Sequence, residues 1–427
     1  MTDLSATPPA LPGPSSDPRC GASRLADDAP PRRRQALDSY LEEAAQALTE
    51  AGLWRTLQPL AGATGPTVRI GEEELLLLCS NNYLGLATDP RVTEAAAAAA
   101  RSFGSGSAGS RLVCGSLELH GQLEQRLAHL KGKPDCVLFS SGYLANLGTI
   151  AALCGRGDTV VSDALNHASI IDGCRLSGAE IAVYPHADAA ACAKRVARAR
   201  GRVLLVSDSV FSMDGDLAPL SELCAIAARQ DGWLMLDEAH ATGILGGGAG
   251  AASAQGLGAQ VDVLMGTLSK ALGAAGGFVA GSRALCDHLR NRARSFVYDT
   301  APAPPVVAAA LAALDVLSTE PERGEKVCLS ARFLARELAA LGYAVPQPAA
   351  AIVPVMIGDS SVAMQLSGYL RRAGILALAI RPPTVPPGTA RLRLCPMATH
   401  STADLERVVA AFRAARDALP ELRPSLR

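Results

Sequence analysis

The chain has 427 residues, 49% of them hydrophobic, and 40 basic against 41 acidic side chains leave a formal charge of −1. That length exceeds the usual reach of one hydrophobic core and predicts two packed domains with additions, while the near-zero charge argues against a polyanion-binding protein. The eleven cysteines form no C-x-x-C pair and lie mostly in apolar runs, which points to reduced thiols in a cytoplasmic protein. No unbroken apolar run is long enough to span a membrane, and the N-terminus lacks the basic-then-apolar order of a signal peptide.

Residues 1–34 are rich in Pro, Ser, Asp and Arg and read as a disordered extension, its Pro30–Arg34 cluster a solvated tail rather than a nucleic-acid site. Residues 35–78 read as an N-terminal helix and strand segment. The spacing of Leu37, Leu41, Ala44, Leu48 and Leu53 predicts a helix to about Leu57, with Arg55 near its end. Glu74 to Leu78 reads as a buried strand that runs through Cys79 into Ser80-Asn81-Asn82-Tyr83-Leu84-Gly85, which is turn chemistry. A helix is expected from Pro90 to Ser102. Gly104-Ser-Gly106-Ser-Ala-Gly109 spells the dinucleotide fingerprint, but an alanine-rich helix precedes it where that motif needs a strand. It reads instead as a flexible polar loop beside an active site.

A helix opens near His120. Cys136 to Phe139 reads as a strand that stops at Ser140-Ser141-Gly142-Tyr143 and hands over to a helix from Leu144 to Leu153, the arrangement that leaves free N–H groups for an anion. Further strands are expected at Thr159–Val161, Val203–Val206, Trp233–Leu236, Val263–Met265 and Phe278–Ala280. These are continuous apolar runs, as in a mostly parallel central sheet with helices on both faces, an α/β fold. Such sheets bind ligands at the carboxyl ends of their strands. One edge would therefore collect Gly142, His167, Ser212, Asp237, His240, Thr267 and Lys270. Residues 79–311 form the large domain of this reading. Residues 312–427 form a smaller C-terminal α+β domain with strands near 351–357 and 390–394 and a last helix capped by Ser401.

The basic residues comprise only five lysines (Lys131, Lys133, Lys194, Lys270 and Lys326) against thirty-five arginines. Lys270 lies alone between two apolar runs, Val261 to Leu268 and Ala271 to Gly281, whereas the other four sit in charged or turn settings. A lysine in an apolar pocket can lose its proton and attack a carbonyl to form a Schiff base, which arginine cannot do. An aldehyde cofactor such as pyridoxal phosphate needs a carboxylate against its ring nitrogen, N–H and hydroxyl groups for its phosphate, and a flat partner for its ring. Asp237 suits the first role. Gly142, Tyr143 and Thr267 suit the second, and His167 the third. Ser212 and His240 could hold the phenolic oxygen. Taken singly, each of these residues is as readily a cap or a core group; their shared placement after successive strands carries the reading.

Asp237-Glu238-Ala239-His240-Ala241-Thr242-Gly243 followed by Thr267-Leu268-Ser269-Lys270, with Ser80 to Leu86, Ser141 to Asn146, Asn166 to Ser169 and Phe211 to Gly215, resembles the pyridoxal-phosphate α-oxoamine synthases. The resemblance runs from about residue 37 to 415. It implies the aspartate-aminotransferase-like fold (PLP fold type I) and a homodimer with each site at the subunit interface. Within the family, Ala379 to Pro386 and Gly388 to Arg393 are most similar to the members that condense L-alanine with a pimeloyl thioester, on coenzyme A or an acyl-carrier protein, in biotin biosynthesis. The resemblance implies that Lys270 holds the cofactor and acts at the alanine Cα, and that His167, Asp237 and His240 belong to the catalytic set. It also implies that Arg55, Asn81, His167, Arg381 and Thr384 contact substrate. Asp208 stands where members often carry Glu, Asp299 adds a charge near the expected phosphate loop, and Cys395-Pro396 is expected to interrupt a strand. Sister synthases that use glycine or serine, a nicotinamide oxidoreductase built on Gly104 to Gly109, and a non-catalytic relative are the alternative readings.

Overall fold

The computed structural model describes residues 31–425, with side chains from 37 to 422. The expected extension thus lies outside the described residues up to position 30, and the chain is already helical from Pro31. Contacts divide the described residues into two compact units, one ending at Leu57 and the other beginning at Gln58. In the first, α1 spans Pro31–Glu50 and stops short of Leu57. Gly52 at φ 65° turns the chain out of the helix, and the N–H groups of Leu53 and Trp54 fold back onto the Leu48 carbonyl, a glycine-terminated end.

The second unit opens with an antiparallel pair, β1 (Thr67–Ile70) and β2 (Glu73–Leu77), then α2 (Pro90–Phe103) and α3 (Glu118–Lys131). An alternating run follows: β3 (Asp135–Phe139), α4 (Gly142–Leu153), β4 (Thr159–Asp163), α5 (Ala168–Ser177), β5 (Glu180–Tyr184) and α6 (Ala189–Val196). It continues with β6 (Val203–Asp208), α7 (Leu220–Arg229), β7 (Trp233–Asp237), α8 (Ala251–Ala254), β8 (Val263–Thr267) and β9 (Gly277–Gly281). Next come α9 (Arg283–Arg292), α10 (Arg294–Val297), α11 (Pro304–Thr319) and α12 (Glu322–Ala340). The last part holds β10 (Val353–Gly358), α13 (Ser360–Arg372), β11 (Ile375–Leu376), β12 (Ala379–Ile380), β13 (Ala390–Leu394) and α14 (Thr402–Ala418).

Seven strands form one sheet in the order β3-β9-β8-β7-β6-β4-β5. Only β9 is antiparallel to its neighbours; the rest run parallel. Because β9 reverses between β3 and β8, those two point the same way, and the carboxyl ends of β3, β8, β7, β6 and β4 share one edge. Successive residues of a strand enter different cores: Leu138, Leu205, Leu236 and Leu264 pack on one face, Val137, Leu204, Met235 and Met265 on the other. Each such side chain, fully buried, contributes about 1.5–3 kcal/mol, which is why these runs are apolar throughout. The sheet's outer strand, β5, has no counterpart in the expectations above. At an edge it buries little, with Ile181 and Val183 at 40% and 47% exposure, although Ile181-Ala182-Val183-Tyr184 is as apolar as the inner strands.

Two three-stranded sheets, β1-β2-β11 and β10-β13-β12, complete the unit. β2 pairs parallel with β11, and Leu76 and Leu78 share a core with Leu334, Val355, Leu392 and Phe412. β13 ends at Leu394, so Cys395-Pro396 follows a strand instead of interrupting one; the Cys395 N–H donates to the Leu78 carbonyl at 2.7 Å. α14 begins as expected, with Ser401 and Asp404 forming a capping box. Among the described residues no helix is long and apolar enough to cross a membrane, and all ten described cysteines are free.

Candidate active site

Asp208 and Asp237 end β6 and β7 as register partners, and both are buried. The Asp237 carboxylate accepts from the Ala239 N–H at 2.8 Å and from Asn146 Nδ2 at 2.7 Å. The Asp208 carboxyl accepts from the His167 N–H at 2.7 Å. Burial, and then the charge of Asp237, push the Asp208 pKa well above the usual carboxylate range. Lys270 leaves β8 on a tight turn. A Cβ on Gly273 would lie 2.2 Å from the Ala87 nitrogen, so the turn admits only glycine there. The Lys270 amine makes no hydrogen bond or ion pair among the described residues. Burial pushes its pKa down, against the opposing pull of Asp237 and Asp208, so it sheds its proton more readily than a surface lysine.

His167 caps α5. Its Nδ1 lies 2.7 Å from Ser169 Oγ, and its ring meets Tyr143 edge-on at 6.5 Å. The residue as a whole is exposed, but the packing of its environment lowers its pKa, with Asp237 raising it and Lys270 lowering it. His240 is enclosed, with Nδ1 2.7 Å from the Tyr83 hydroxyl. Burial first, then Lys270 and Arg393, push its pKa well down, so both imidazoles are neutral at pH 7. Arg393, on β13, donates to Asn81 Oδ1 at 3.1 Å, to the Tyr83 hydroxyl at 3.0 Å and to the Ser212 carbonyl. Ser212 is thus held through its backbone, and Asn81 through its side chain. Arg391 bonds Asp214 in the same loop.

The anion site expected at the start of α4 has its parts. Ser141 caps the helix, and a Cβ on Gly142 would press on Met265 Cε at 3.1 Å and Thr267 Cβ at 3.3 Å. Thr267 is buried beside it, its hydroxyl donating to the Gly276 carbonyl at 2.8 Å and sharing a bond with Ser269. The Tyr143 hydroxyl turns instead to Asp172. Asp299 is near this turn, as its charge made notable, and accepts from Ser140 Oγ. The Gly104–Arg111 segment, expected to be flexible, is tied down: Ser107 Oγ donates to the Pro302 carbonyl at 2.7 Å, and Ala301 N–H to the Gly109 carbonyl at 3.0 Å. No strand runs into it, so it is no dinucleotide turn.

Lys270, Asp237, His167, His240, Asn81, Ser212, Gly142 and Thr267 thus meet at one sheet edge. Arg381 and Thr384 leave β12 through a turn that contains the cis peptide Pro382-Pro383, with the Thr384 N–H on the Arg381 carbonyl at 3.1 Å. Arg55 belongs to the first unit. Three residues escaped sequence reasoning: Tyr83, Arg393 and Asn146. The signal for Arg393 was two arginines at i, i+2 in an otherwise apolar strand, both buried; a charge placed inward there needs partners. A cleft of about 450 Å³ between Lys133, Trp233, Val263 and Leu285 lies at the opposite edge, where β7 and β8 begin.

A family model described as aminotransferase class I and II matches residues 73–412. An 8-amino-7-oxononanoate synthase from Anaeromyxobacter dehalogenans is 50% identical over 394 residues, 92% of this chain and 98% of that protein. One from Geobacter metallireducens is 47% identical over 381 residues, 88% and 97% of the two chains. Among solved structures, a serine palmitoyltransferase from S. paucimobilis with bound PLP-myriocin is 34% identical and superposes with a TM-score of 0.84, covering 90% of this chain and 98% of that one.

Proposed function

The chain belongs to the aminotransferase class I and II family, and we propose on that premise that it is a pyridoxal-phosphate enzyme condensing L-alanine with a pimeloyl thioester, with loss of carbon dioxide, to give 8-amino-7-oxononanoate for biotin synthesis. The observation that carries this reading is the Lys270 amine, unpaired, its pKa lowered, and within electrostatic reach of Asp237 and Asp208.

The residues present fit the cofactor. Asp237 offers a carboxylate for a ring nitrogen. The start of α4, with Gly142 pressed against Thr267, offers N–H groups to a phosphate. Bound there, pyridoxal phosphate supplies an electron sink for charge at the amino acid's Cα. Lys270 would hold the cofactor, and its amine would serve as the base for the Cα proton. His167 and His240, both neutral, donate or accept hydrogen bonds without adding charge. Arg381, with Asn81 and Thr384, holds substrate carboxylate by paired hydrogen bonds.

The working assembly is a homodimer. Val113 and Tyr298, 82% and 72% exposed, and Leu112 lie within three residues of the bridge between Ser110 and Thr300. That exposed apolar area fits a second copy, which light scattering would detect as twice the 43.9 kDa chain mass. Incubation with L-alanine and pimeloyl-coenzyme A or pimeloyl carrier protein should yield 8-amino-7-oxononanoate by mass spectrometry. The comparison arms are glycine with acetyl- or succinyl-coenzyme A and serine with a long-chain acyl thioester. Turnover only in one of those arms overturns the pimeloyl assignment. Absence of a borohydride-sensitive absorbance band overturns the cofactor.

A further inference from the structure

We infer that Asn146 and Ser169 are positioning residues that lock His167 in a single tautomer and tie that tautomer to the charge on Asp237. The inference rests on the reading above, in which His167 and Asp237 face the same cofactor ring.

The relay begins at Asn146 on α4, which is fully buried. Its Nδ2 donates to Asp237 Oδ2 at 2.7 Å and to Ser169 Oγ at 2.9 Å. Its Oδ1 is enclosed without a partner. Reversing the amide would set Oδ1 against a carboxylate oxygen, lone pair to lone pair. The side chain therefore keeps the one orientation that serves Asp237, even though an acceptor goes unsatisfied.

That orientation decides the next link. Ser169 Oγ accepts from Asn146, so its own O–H is left to donate. The acceptor in reach is His167 Nδ1, at 2.7 Å. The Ser169 backbone N–H also points to Nδ1, at 3.2 Å. Two donors converge on one ring nitrogen, which must present its lone pair. The neutral imidazole then carries its proton on Nε2, which has no partner among the described residues. The backbone of His167 is fixed as well, by its N–H on Asp208. A neutral ring held this way offers one donor, Nε2–H, to a substrate oxygen, and cannot turn to offer Nδ1.

Asn146 and Ser169 touch neither Lys270 nor, by this account, the substrate. Their effect passes through His167 and Asp237. They are the reason a serine and an asparagine stand in the helices that flank the site.

The test uses the cofactor-loaded full chain with ¹⁵N-labelled histidine. His167 is assigned by the loss of its signals in His167→Asn. In the wild type, Nδ1 should resonate as an unprotonated nitrogen and Nε2 as a protonated one. Ser169→Ala, which leaves Nδ1 only the 3.2 Å backbone donor, and Asn146→Ala should shift both toward an average of the two tautomers, and Ser169→Thr should keep the wild-type pattern. Turnover should fall about tenfold in Ser169→Ala while KM for alanine stays within about twofold. A wild-type Nδ1–H signal, or an unchanged pattern in both alanine variants, overturns the inference. The borohydride-sensitive band reports the cofactor separately, so the relay and the functional reading can fail independently. A purely structural role for Ser169 would lower thermal stability and leave the tautomer alone, which also overturns it.

Discussion

Two neighbouring carboxylates after β7 answer two different lysines. Glu238 takes Lys131, whose amine is sealed from solvent and makes three 2.7 Å hydrogen bonds, to Glu238 Oε2, Thr242 Oγ1 and the Ala249 carbonyl. Asp237 lies within electrostatic reach of Lys270, whose amine makes none. Lys131 is the more buried of the two, yet every donor it owns is used. Burial alone therefore does not mark a reactive lysine. What marks it is a charge that the fold has partly desolvated and left unsatisfied, beside carboxylates already engaged elsewhere. One lysine holds the loop that carries Asp237 and His240 in place, and the other, in the proposed function, acts on what binds there.

The comparison breaks most visibly when each lysine is removed. Lys270→Ala should cut turnover about a thousandfold or more and abolish the borohydride-sensitive band. Its unfolding free energy should stay within about 0.5 kcal/mol of wild type, because no hydrogen bond or ion pair is lost. Lys131→Met should do the reverse, costing about 3–5 kcal/mol by leaving Glu238 buried and uncompensated. Thermal melts and turnover on both variants decide this. A Lys131→Met protein as stable as Lys270→Ala would remove the distinction. The double variant Lys131→Met/Glu238→Leu should regain most of the loss, since it buries no charge.

A third ion cluster sharpens the contrast between structural and reactive charge. His186 bonds Asp163 at 3.1 Å and Asp216 at 2.9 Å through its two ring nitrogens. Both nitrogens donate, so the ring is cationic, and the two carboxylates raise its pKa to about 10. A raised folded-state value means stability that is complete below the ordinary 6.5 and is lost as pH climbs through about 10. Unfolding monitored between pH 7 and 10.5 should show this decline, and His186→Gln should flatten it while costing about 2 kcal/mol at pH 7. The cluster packs on Phe211, its rings 4.3 Å apart, next to Ser212. It therefore steadies the loop that Arg391 and Arg393 hold from β13.

Sequence reasoning reached the sheet and its reactive edge because both leave strong marks. Buried parallel strands must be apolar at every position, and a strand that ends in Asp237 or Thr267 stops at a polar residue that has to be placed somewhere. It failed where the deciding partner is remote in the chain. Arg393 meets Asn81 and Tyr83 from more than three hundred residues away, and nothing local to any of them announces the others. β5 was missed although Ile181 to Tyr184 is an apolar run, because four apolar residues do not by themselves separate a strand from a buried helical turn. The end of α1 was misplaced because the apolar spacing continued through Gly52, where backbone conformation rather than periodicity sets the stop.

The smallest expected effect bears on which of the paired carboxyls holds the charge. Asp208 and Asp237 stand side by side, and burial with Asp237's charge makes Asp208 the one that binds a proton readily. Its work is to accept the His167 N–H, which an amide oxygen does equally well. Asp208→Asn should therefore keep turnover within about threefold of wild type, and should be slightly more stable at pH 8, where the wild type must bury an ionisable acid. Asp208→Ala, lacking the acceptor, should lose about tenfold. Asp237→Asn should lose far more, because the charge that the proposed function sets beside the cofactor ring goes with it. If Asp208→Asn instead matched Asp237→Asn in its loss, the charge would be shared across the pair, and the two strand ends would have to be treated as one titrating unit.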